Sequence, residues 1–175
     1  MNVELKLVPK DEKQILRNLL EKYDYEFSQW DKREVGPLGL FDYSYLDYYW
    51  VEEKRWPFFI LADGKLAGFV MVNDYPEVEN EPTDYVIAEF FVMYPFRRHG
   101  VGQKAAELAF DRFHGRWQLK RHPHNIGSVY FWNRVVAQYT HGDYRLAEGC
   151  PGTEYDDGTP GDVFFFDNSR SKAND

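Results

Sequence analysis

The amino-acid sequence predicts an α/β (α+β) fold in which a mixed, mostly antiparallel central sheet of about seven strands carries helices on both faces. Three observations support this prediction. Segments with strand-like patterns recur along the whole chain, and segments with helical periodicity stand between some of them. Their order is strand, two helices, three strands, helix, strand, helix and two strands, which is not the regular alternation of a parallel sheet. The pair Asp63-Gly64 between two apolar runs predicts a hairpin and therefore antiparallel pairing.

The N-terminal part of the chain is predicted to form one strand and two helices. Apolar and polar residues alternate over residues 3–8, which is the pattern of a half-buried strand. Asp11 and Gln14 are spaced as a capping box, and apolar residues at helical spacing carry this first helix to about residue 26. Residues 43–56 are rich in aromatic side chains and predict a short helix that ends at the following proline.

Three strands are predicted in the middle of the chain. The first two, at residues 58–63 and 66–73, are joined by the Asp63-Gly64 turn. Residues 73–84 are acidic and punctuated by prolines, which indicates an exposed loop. Residues 85–94 are β-branched and aromatic, and they predict a mostly buried strand.

The C-terminal half is predicted to contain two helices, three strands and a tail. An apolar stripe predicts a helix over residues 101–113, and Asn125 can cap a further helix that reaches Tyr139. The three strands are expected at residues 116–120, 144–148 and 162–167. The polar tail that follows, residues 168–175, is expected to be frayed. The length of the chain favours one domain over residues 1–175.

Charge and composition exclude several classes of protein. The net charge is −8, yet residues 91–145 carry nine basic and three acidic side chains between two acidic flanks. Such a chain is not expected to bind nucleic acid, whereas its basic segment can bind a small anion. No stretch approaches the roughly 20 apolar residues of a membrane helix, and the N-terminal residues do not read as a secretory signal. With Cys150 as its only cysteine, the protein is expected in the cytoplasm.

The sequence RRHGVG at residues 97–102 lies between a predicted strand and a predicted helix. One interpretation is a tight turn with a solvated basic rim, and the other is a binding site for phosphate. The first amides of a helix lack intrahelical acceptors, and glycine lets a ligand approach the backbone closely. Arginine adds a two-pronged hydrogen-bond donor for phosphate. The pattern by itself favours neither interpretation.

Two nucleotide-binding motifs fit this loop poorly. A nucleoside-triphosphate loop requires a Gly-Lys pair followed by Ser or Thr, whereas Lys104 is followed by Ala105. Gly100, Gly102 and Ala105 formally satisfy the dinucleotide fingerprint. The acidic residue that should end the next strand is missing, however, because residues 120–125 read KRHPHN.

In its context the loop resembles that of the Gcn5-related N-acetyltransferases (GNAT). The pattern R-x-x-G-x-G at residues 97–102 follows the strand IAEFFVMYPF and precedes an amphipathic helix, a short strand and a helix that begins at Asn125. This resemblance covers residues 85–140 at the level of motifs, and the order of elements extends it to nearly the whole chain. It implies an N-acetyltransferase that uses acetyl-CoA as co-substrate. The acceptor would be a primary amine, small or peptidic, that attacks directly without a covalent enzyme intermediate.

The resemblance also implies which residues bind the coenzyme. Phe91, Val92 and Met93, on a strand that splays from its neighbour, would offer backbone groups to the pantetheine arm and the acetyl carbonyl. Arg97 would brace the turn, and Asn125 would contact the coenzyme. The amides that hold the pyrophosphate would come from Arg98, His99, Gly100, Val101 and Gly102.

Acetyl transfer needs a base for the amine and benefits from an acid for the thiolate, because an ammonium is not nucleophilic at neutral pH. Glu89, in the strand before the loop, is the candidate base, although the alternation of side chains equally allows an outward position. Many relatives carry a tyrosine seven residues after the asparagine, whereas this chain has Trp132 beside the coenzyme, and indole is no acid. Three alternatives follow. The thiolate leaves without a protein acid, or Tyr139 or another tyrosine acts as the acid, or the protein is a non-catalytic acyl-CoA sensor or interaction module.

Aromatic and acidic residues crowd the first two predicted helices, and most of the aromatic ones are expected in the core. A few are expected to line the acceptor pocket, where aromatic faces and carboxylates suit a cationic amine; these are Trp30, Phe41, Tyr43 and Tyr45. His122 and His124 lack the helical spacing of zinc hydrolases, so no metal is predicted. Members of the resembled family are often dimers, so a homodimer is compatible with the resemblance, and the sequence leaves the oligomeric state open.

Overall fold

The computed structural model describes residues 1–170, which form a mixed seven-stranded sheet and three α-helices. The strands are β1 (Val3–Leu7), β2 (Arg55–Ala62), β3 (Lys65–Asn73), β4 (Tyr85–Val92), β5 (Arg116–Arg121), β6 (Arg145–Ala147) and β7 (Asp162–Asp167). The helices are α1 (Lys13–Asp31), α2 (Val101–Arg112) and α3 (Ile126–Tyr139). The strand order is β1-β2-β3-β4-β5-β7-β6, and β4 with β5 is the parallel pair among otherwise antiparallel ones. The predicted fold class is therefore confirmed.

Helices cover both faces of the sheet because the side chains of the central strands alternate between two apolar clusters. On β3, Phe69 and Met71 pack in the cluster that contains the apolar stripe of α1. Val70 and Val72 point to the other face and pack in the cluster that α2 and α3 complete. All four side chains are fully buried, so β3 lies at the centre of the core.

The parallel strands β4 and β5 pair over only three residues each. Tyr85 to Ile87 pair with Trp117 to Leu119, and no pairing of β4 with β5 continues beyond this point. β4 runs on to Val92 beside β3 alone. The two strands therefore part like the arms of a V, and the open side of the V exposes an edge of β4 for more than half of its length.

A β-bulge in β4 decides which face of the sheet each residue near this opening occupies. Met71 pairs with Glu89, while the next residue, Val72, pairs with Ile87, so Ala88 is the additional residue. Without the bulge, Ile87 and Glu89 would share a face. With it, Ile87 packs on the α2 and α3 side, and Glu89 points to the α1 side.

Local interactions explain where the predicted elements are right and where they are wrong. The hairpin is confirmed, since Asp63 and Gly64 both adopt positive φ between β2 and β3. The predicted capping box is wrong: a 3-10 turn over Lys10–Glu12 precedes α1, and no side chain caps the helix. α1 also continues five residues past the predicted end, because no Gly or Pro occurs before residue 36, and its C-cap is Lys32 in a left-handed conformation.

The predicted aromatic helix over residues 43–56 is wrong for most of its length. Only Leu46–Trp50 is helical, as a 3-10 segment that buries Leu46 and Tyr49. Pro57, expected to end the helix, instead lies in β2, which begins at Arg55. It is tolerated there because it lies beyond the last residue of β2 that pairs with β1, where a missing N–H breaks no ladder bond to that strand.

The predicted frayed tail is wrong for its first residue, Asn168. This side chain is buried and hydrogen-bonds the Gly115 amide and the Phe110 and Phe113 carbonyls. It therefore ties the end of β7 to α2. Residues 171–175 of the predicted tail lie outside the described residues. Among the helices of residues 1–170, none combines the length and the apolar character needed to cross a membrane.

Candidate functional site

A cleft of about 440 Å³ opens where β4 and β5 part. Its floor is formed by the diverging strands, from Ile87 to Phe90 on one side and from Leu119 to His122 on the other. α1 and the segment that follows it form one wall, and α3 with the loop before β7 form the other. Carboxylates outnumber cationic side chains along this lining; they are Asp24, Asp31, Asp42, Glu77, Glu89, Glu154 and Asp156, against Arg33, Lys120 and Arg121.

Glu89 lies in the cleft and accepts hydrogen bonds from two tyrosines. The Tyr43 hydroxyl donates to Oε1 at 3.2 Å, and the Tyr23 hydroxyl donates to the same carboxylate. Burial raises the pKa of Glu89 from 4.5 to about 7, and the two hydrogen bonds offset this only in part. Glu89 therefore takes up and releases its proton near neutral pH, which suits a group that must accept a proton.

The hydroxyls of Tyr23 and Tyr43 stay protonated beside this carboxylate. Burial, followed by the negative charge of Glu89, raises the pKa of both tyrosines well above its ordinary value. The Tyr23 ring also packs edge-on against Phe69 and at a tilt against Phe91, so the core fixes its position. Glu89 is thus held by two rigid hydrogen-bond donors that come from α1 and from the segment after it.

The acidic wall of the cleft is organised around Arg33, two residues after α1 ends. Its guanidinium donates to Asp24 Oδ1 at 2.9 Å and to Asp31 Oδ2 at 2.6 Å, and it lies 3.4 Å from Asp156 Oδ2. Asp24 and Asp31 are both buried. The left-handed C-cap at Lys32 turns the chain back and brings Arg33 over the last turns of the helix.

The loop over residues 97–102 presents a helix N-terminus without a side-chain cap. Arg98 and Gly100 have φ of 63° and 77°, and these left-handed residues turn the loop sharply into α2. The first intrahelical bond is donated by the Lys104 amide to the Gly100 carbonyl, so the amides of residues 101–103 lack intrahelical acceptors. No side chain of Gly100 can cap them and no acidic residue lies in the first turn. Arg98, His99 and Gly100 are exposed.

Arg97 has a structural place in this loop. Its Nε donates to the Val92 carbonyl at 2.6 Å, and its two terminal nitrogens donate to the Glu26 carboxylate at 2.8 Å and 2.7 Å. The guanidinium also lies 4.2 Å from the centre of the Tyr94 ring. Arg97 therefore joins α1, β4 and the loop.

The exposed edge of β4 has backbone groups for a ligand. In an antiparallel strand, successive residues direct their N–H and C=O groups to opposite edges, so every second residue of β4 beyond Ile87 faces the opening. Two of the backbone groups near its end already have partners: the Val92 carbonyl accepts from Arg97, and the Met93 amide donates to the Ala67 carbonyl. Phe91 packs its side chain under α1.

The residues of α3 divide between the cleft and the core. Asn125 caps the helix as predicted, since its Oδ1 accepts from the Ser128 amide at 3.1 Å, and it also lines the cleft. Trp132 touches the cleft but is 5% exposed, and its ring packs on Phe90 and Phe131. Tyr139 does not line the cleft.

The position of Tyr139 corrects the expectation of a catalytic role. Its hydroxyl donates to Asp111 at 3.0 Å and accepts from the Asn168 amide at 3.1 Å, and its ring packs on Phe110. These partners belong to α2 and the end of β7, because seven residues from Trp132 place Tyr139 two helical turns further along α3. Tyr139 is too far along the helix to reach the cleft.

Three of the four predicted pocket residues line the cleft, namely Phe41, Tyr43 and Tyr45. Trp30 does not, and its ring packs on Phe27 instead. Sequence reasoning missed Tyr155, which lines the cleft from the loop before β7 and packs on Phe27 and His122. The feature of the sequence that could have indicated a functional residue here is the length of this Gly- and Pro-rich loop, since long loops in compact domains are often functional.

His122, His124 and Asp157 come together, with ligand atoms within 4.8 Å of one another. Nδ1 of His122 accepts the His124 amide at 3.1 Å, and Nε2 lies 3.4 Å from Asp157 Oδ1. In a neutral imidazole with Nδ1 as acceptor, Nε2 carries the proton. Nε2 of His122 therefore has no lone pair for a metal unless its hydrogen bonds rearrange.

Comparisons with known proteins agree with this geometry. A sequence model of the acetyltransferase (GNAT) family matches residues 16–136. No curated protein matches the chain. Among solved structures, an acetyltransferase from Thermus thermophilus superposes with a TM-score of 0.68 at 15% identity, covering 95% of this chain and 97% of that one.

Two other similar structures contain ligands. Spermidine N-acetyltransferase from Vibrio cholerae, in complex with CoA and spermine, has a TM-score of 0.62 at 13% identity and covers 96% of both chains. AAC(6')-Ib, in complex with ribostamycin and coenzyme A, has a TM-score of 0.64 at 14% identity and covers 100% of this chain and 99% of that one. At such identities the likeness shows the fold.

Proposed function

This chain belongs to the acetyltransferase (GNAT) family, and from that premise we propose that it transfers the acetyl group of acetyl-CoA to a primary, cationic amine by direct attack. The observation that carries this proposal is Glu89. It is a carboxylate with a pKa of about 7, held by two tyrosine hydroxyls in the cleft where β4 and β5 part. Similar structures bind CoA together with spermine or with ribostamycin, both of which are amines.

Acetyl-CoA would occupy the opening between the strands. The exposed edge of β4 would hydrogen-bond the pantetheine arm and the acetyl carbonyl, in the manner of an added strand. The uncapped N-terminus of α2 would hold the pyrophosphate, because its free amides and its dipole favour negative charge. Arg98 and His99 are exposed beside these amides, while Arg97 fixes the loop through Glu26.

Glu89 would accept the proton of the incoming ammonium, directly or through a water molecule. The neutral amine nitrogen then attacks the thioester carbonyl carbon, the C–N bond forms, and the C–S bond breaks to release the thiolate of CoA. The nitrogen loses its second proton to this thiolate or to solvent, which gives the neutral amide. The Glu89 proton afterwards exchanges with solvent. Tyr23 and Tyr43 would position the carboxylate, since both donate to it and neither pKa allows proton loss near neutral pH.

A second candidate function is a non-catalytic acyl-CoA sensor, which the environment of Trp132 favours. At the position where many members of the resembled family carry a tyrosine, Trp132 is buried against Phe90 and offers no acid. Enzymatic turnover remains the primary proposal because a coenzyme sensor has no need of a carboxylate with a pKa near 7. The thiolate is itself a good leaving group, because a thiol is a far stronger acid than an alcohol; the free cysteine thiol, for comparison, has a pKa of about 8.5.

The two candidates are separated by binding and turnover measured on the same protein. Isothermal titration with acetyl-CoA and CoA tests the coenzyme site, and both candidates predict binding below millimolar concentration. Release of thiol from acetyl-CoA is then followed with a panel of primary amines. Turnover that Glu89→Gln lowers by about 100-fold or more supports the enzyme, whereas binding without turnover supports the sensor. Absence of coenzyme binding would refute both.

A further inference from the structure

Asp24 is a buried carboxylate in the cleft with one oxygen unsatisfied. Its Oδ1 accepts from Arg33, but Oδ2 has no hydrogen-bond partner among the described residues. The residue is 2% exposed and lines the cleft. A buried carboxylate oxygen without a donor is costly, so its presence in a cleft points to a donor that a ligand supplies.

In the neighbouring Asp31, by contrast, both carboxylate oxygens accept a hydrogen bond. Its Oδ1 accepts from the Arg33 amide at 3.1 Å, and its Oδ2 accepts from Arg33 Nε at 2.6 Å. The same guanidinium also serves Asp24 and lies 3.4 Å from Asp156. One positive charge thus faces three carboxylates, and the missing partner of Asp24 is expected to be cationic.

The position of Asp24 relates it to the proposed chemistry. It follows Tyr23 in α1, and Tyr23 donates to Glu89. The negative charge of Asp24 is also among the causes that raise the pKa of Glu89, so the two carboxylates lie close enough to interact. A molecule that fills the cleft therefore meets Glu89 and Asp24 together.

We infer that the acceptor is a diamine or larger polyamine, whose reacting amine stands at Glu89 while a second ammonium binds Asp24 Oδ2. This inference rests on the proposed function, because Glu89 sets the position of the reacting nitrogen. A second ammonium donates the hydrogen bond that Oδ2 lacks and compensates the excess of carboxylates. Phe27 and Phe41 line the same cleft and provide apolar walls for the carbon chain between the two amines.

The test compares linear diamines of increasing length with monoamines of the same length, using thiol release from acetyl-CoA. The wild-type protein should prefer the diamine in kcat/KM by about tenfold or more at the best length, since a charge-assisted hydrogen bond contributes that much. Asp24→Asn should lower this ratio towards one. Asp31→Asn is the matched control, because it removes a carboxylate from the same Arg33 cluster without touching the unsatisfied oxygen, and it should keep the preference.

Amino alcohols keep the inference testable if Asp24→Asn does not fold. A terminal hydroxyl can donate to Oδ2 but brings no charge, so the wild-type protein should prefer the diamine over the amino alcohol of equal length. Equal rates for diamine, amino alcohol and monoamine would overturn the inference. An equal loss of preference in Asp24→Asn and Asp31→Asn would also overturn it. The preference would then depend on the total negative charge of the cleft and not on the unsatisfied oxygen of Asp24.

The failure of the proposed function gives a different result from the failure of this inference. If acetyl-CoA binds but no amine releases thiol, the proposed reaction is refuted. Calorimetric titration of the acetyl-CoA complex with the same diamines and monoamines then tests Asp24 by itself. Diamine binding that is tighter in the wild type than in Asp24→Asn supports the subsite, and equal binding overturns it.

Discussion

Replacement of Glu89 by glutamine should stabilise the folded protein while it removes the base. The ordinary pKa of a glutamate is 4.5, and burial raises the pKa of Glu89 to about 7. The folded state therefore binds the proton more tightly than the unfolded state does. Ionised Glu89 destabilises the fold, a cost that begins near pH 4.5, grows up to pH 7 and is constant above it.

The size of this effect follows from the difference between the two pKa values. Each pKa unit corresponds to about 1.4 kcal/mol, so the fully ionised carboxylate lowers the free energy of unfolding by about 3 kcal/mol. Glutamine has the same shape, stays neutral, and can still accept from Tyr43. We expect Glu89→Gln to be more stable than the wild type at pH 8 by about 3 kcal/mol, or roughly 6–12 °C in Tm for a chain of this length, and by much less at pH 5.

Urea unfolding of the two proteins at pH 5, 6.5 and 8 measures this difference directly. Glu34→Gln is the control, because Glu34 is exposed. Its replacement should change the free energy of unfolding by the same amount at all three pH values. The kcat/KM of the wild type should also fall below pH 7 as Glu89 takes up its proton, and this acidic limb should disappear in Glu89→Gln. A stability difference that does not change with pH would refute the assignment of a buried, titrating Glu89.

Three further predictions concern residues that support the strands, the loop and the helix around the cleft. Gly68→Ala should lower the free energy of unfolding by at least about 2 kcal/mol in urea titrations, because a Cβ at Gly68 would lie 1.9 Å from the Phe91 carbonyl oxygen; a smaller loss would mean that β3 and β4 can move apart. Arg97→Lys should raise the KM for acetyl-CoA about tenfold in steady-state assays, since lysine cannot form the fork to Glu26, and an unchanged KM would contradict the bracing role. Tyr139→Phe should keep kcat within about twofold and lower stability by about 1 kcal/mol, because its hydroxyl bonds link α3 to α2 and to the residue after β7, away from the cleft; a large loss of kcat would show that Tyr139 takes part in catalysis.

The sequence was sufficient where local patterns decide the structure. The Asp63-Gly64 turn, the cap at Asn125 and the strand-loop-helix around residues 97–102 each depend on a few neighbouring residues, and all three have the predicted conformation. The prediction for residues 43–56 fails because tertiary burial of Leu46 and Tyr49 overrides a weak helical pattern.

The site itself depends on long-range contacts that one sequence does not display. Whether Glu89 faces α1 or the opposite side depends on the bulge at Ala88, and only the pairing of β3 with β4 reveals that bulge. Tyr155 reaches the cleft from a loop more than sixty residues after Glu89 in the chain, and no periodicity places it there. Asp24 reads as one more polar position on α1, and its unsatisfied oxygen appears only in three dimensions.

The contacts of α1 connect the coenzyme site to the acceptor site. Glu26 of this helix receives the Arg97 fork and thereby fixes the loop before α2. Three residues earlier, Tyr23 donates to Glu89 at the centre of the cleft, and Asp24 stands beside it. A displacement of α1 would therefore move the phosphate loop, the base and the acidic wall together. Because Arg97 also bonds the Val92 carbonyl, β4 is coupled to the same helix, and we expect ordering of the loop by coenzyme to fix the position of Glu89 as well.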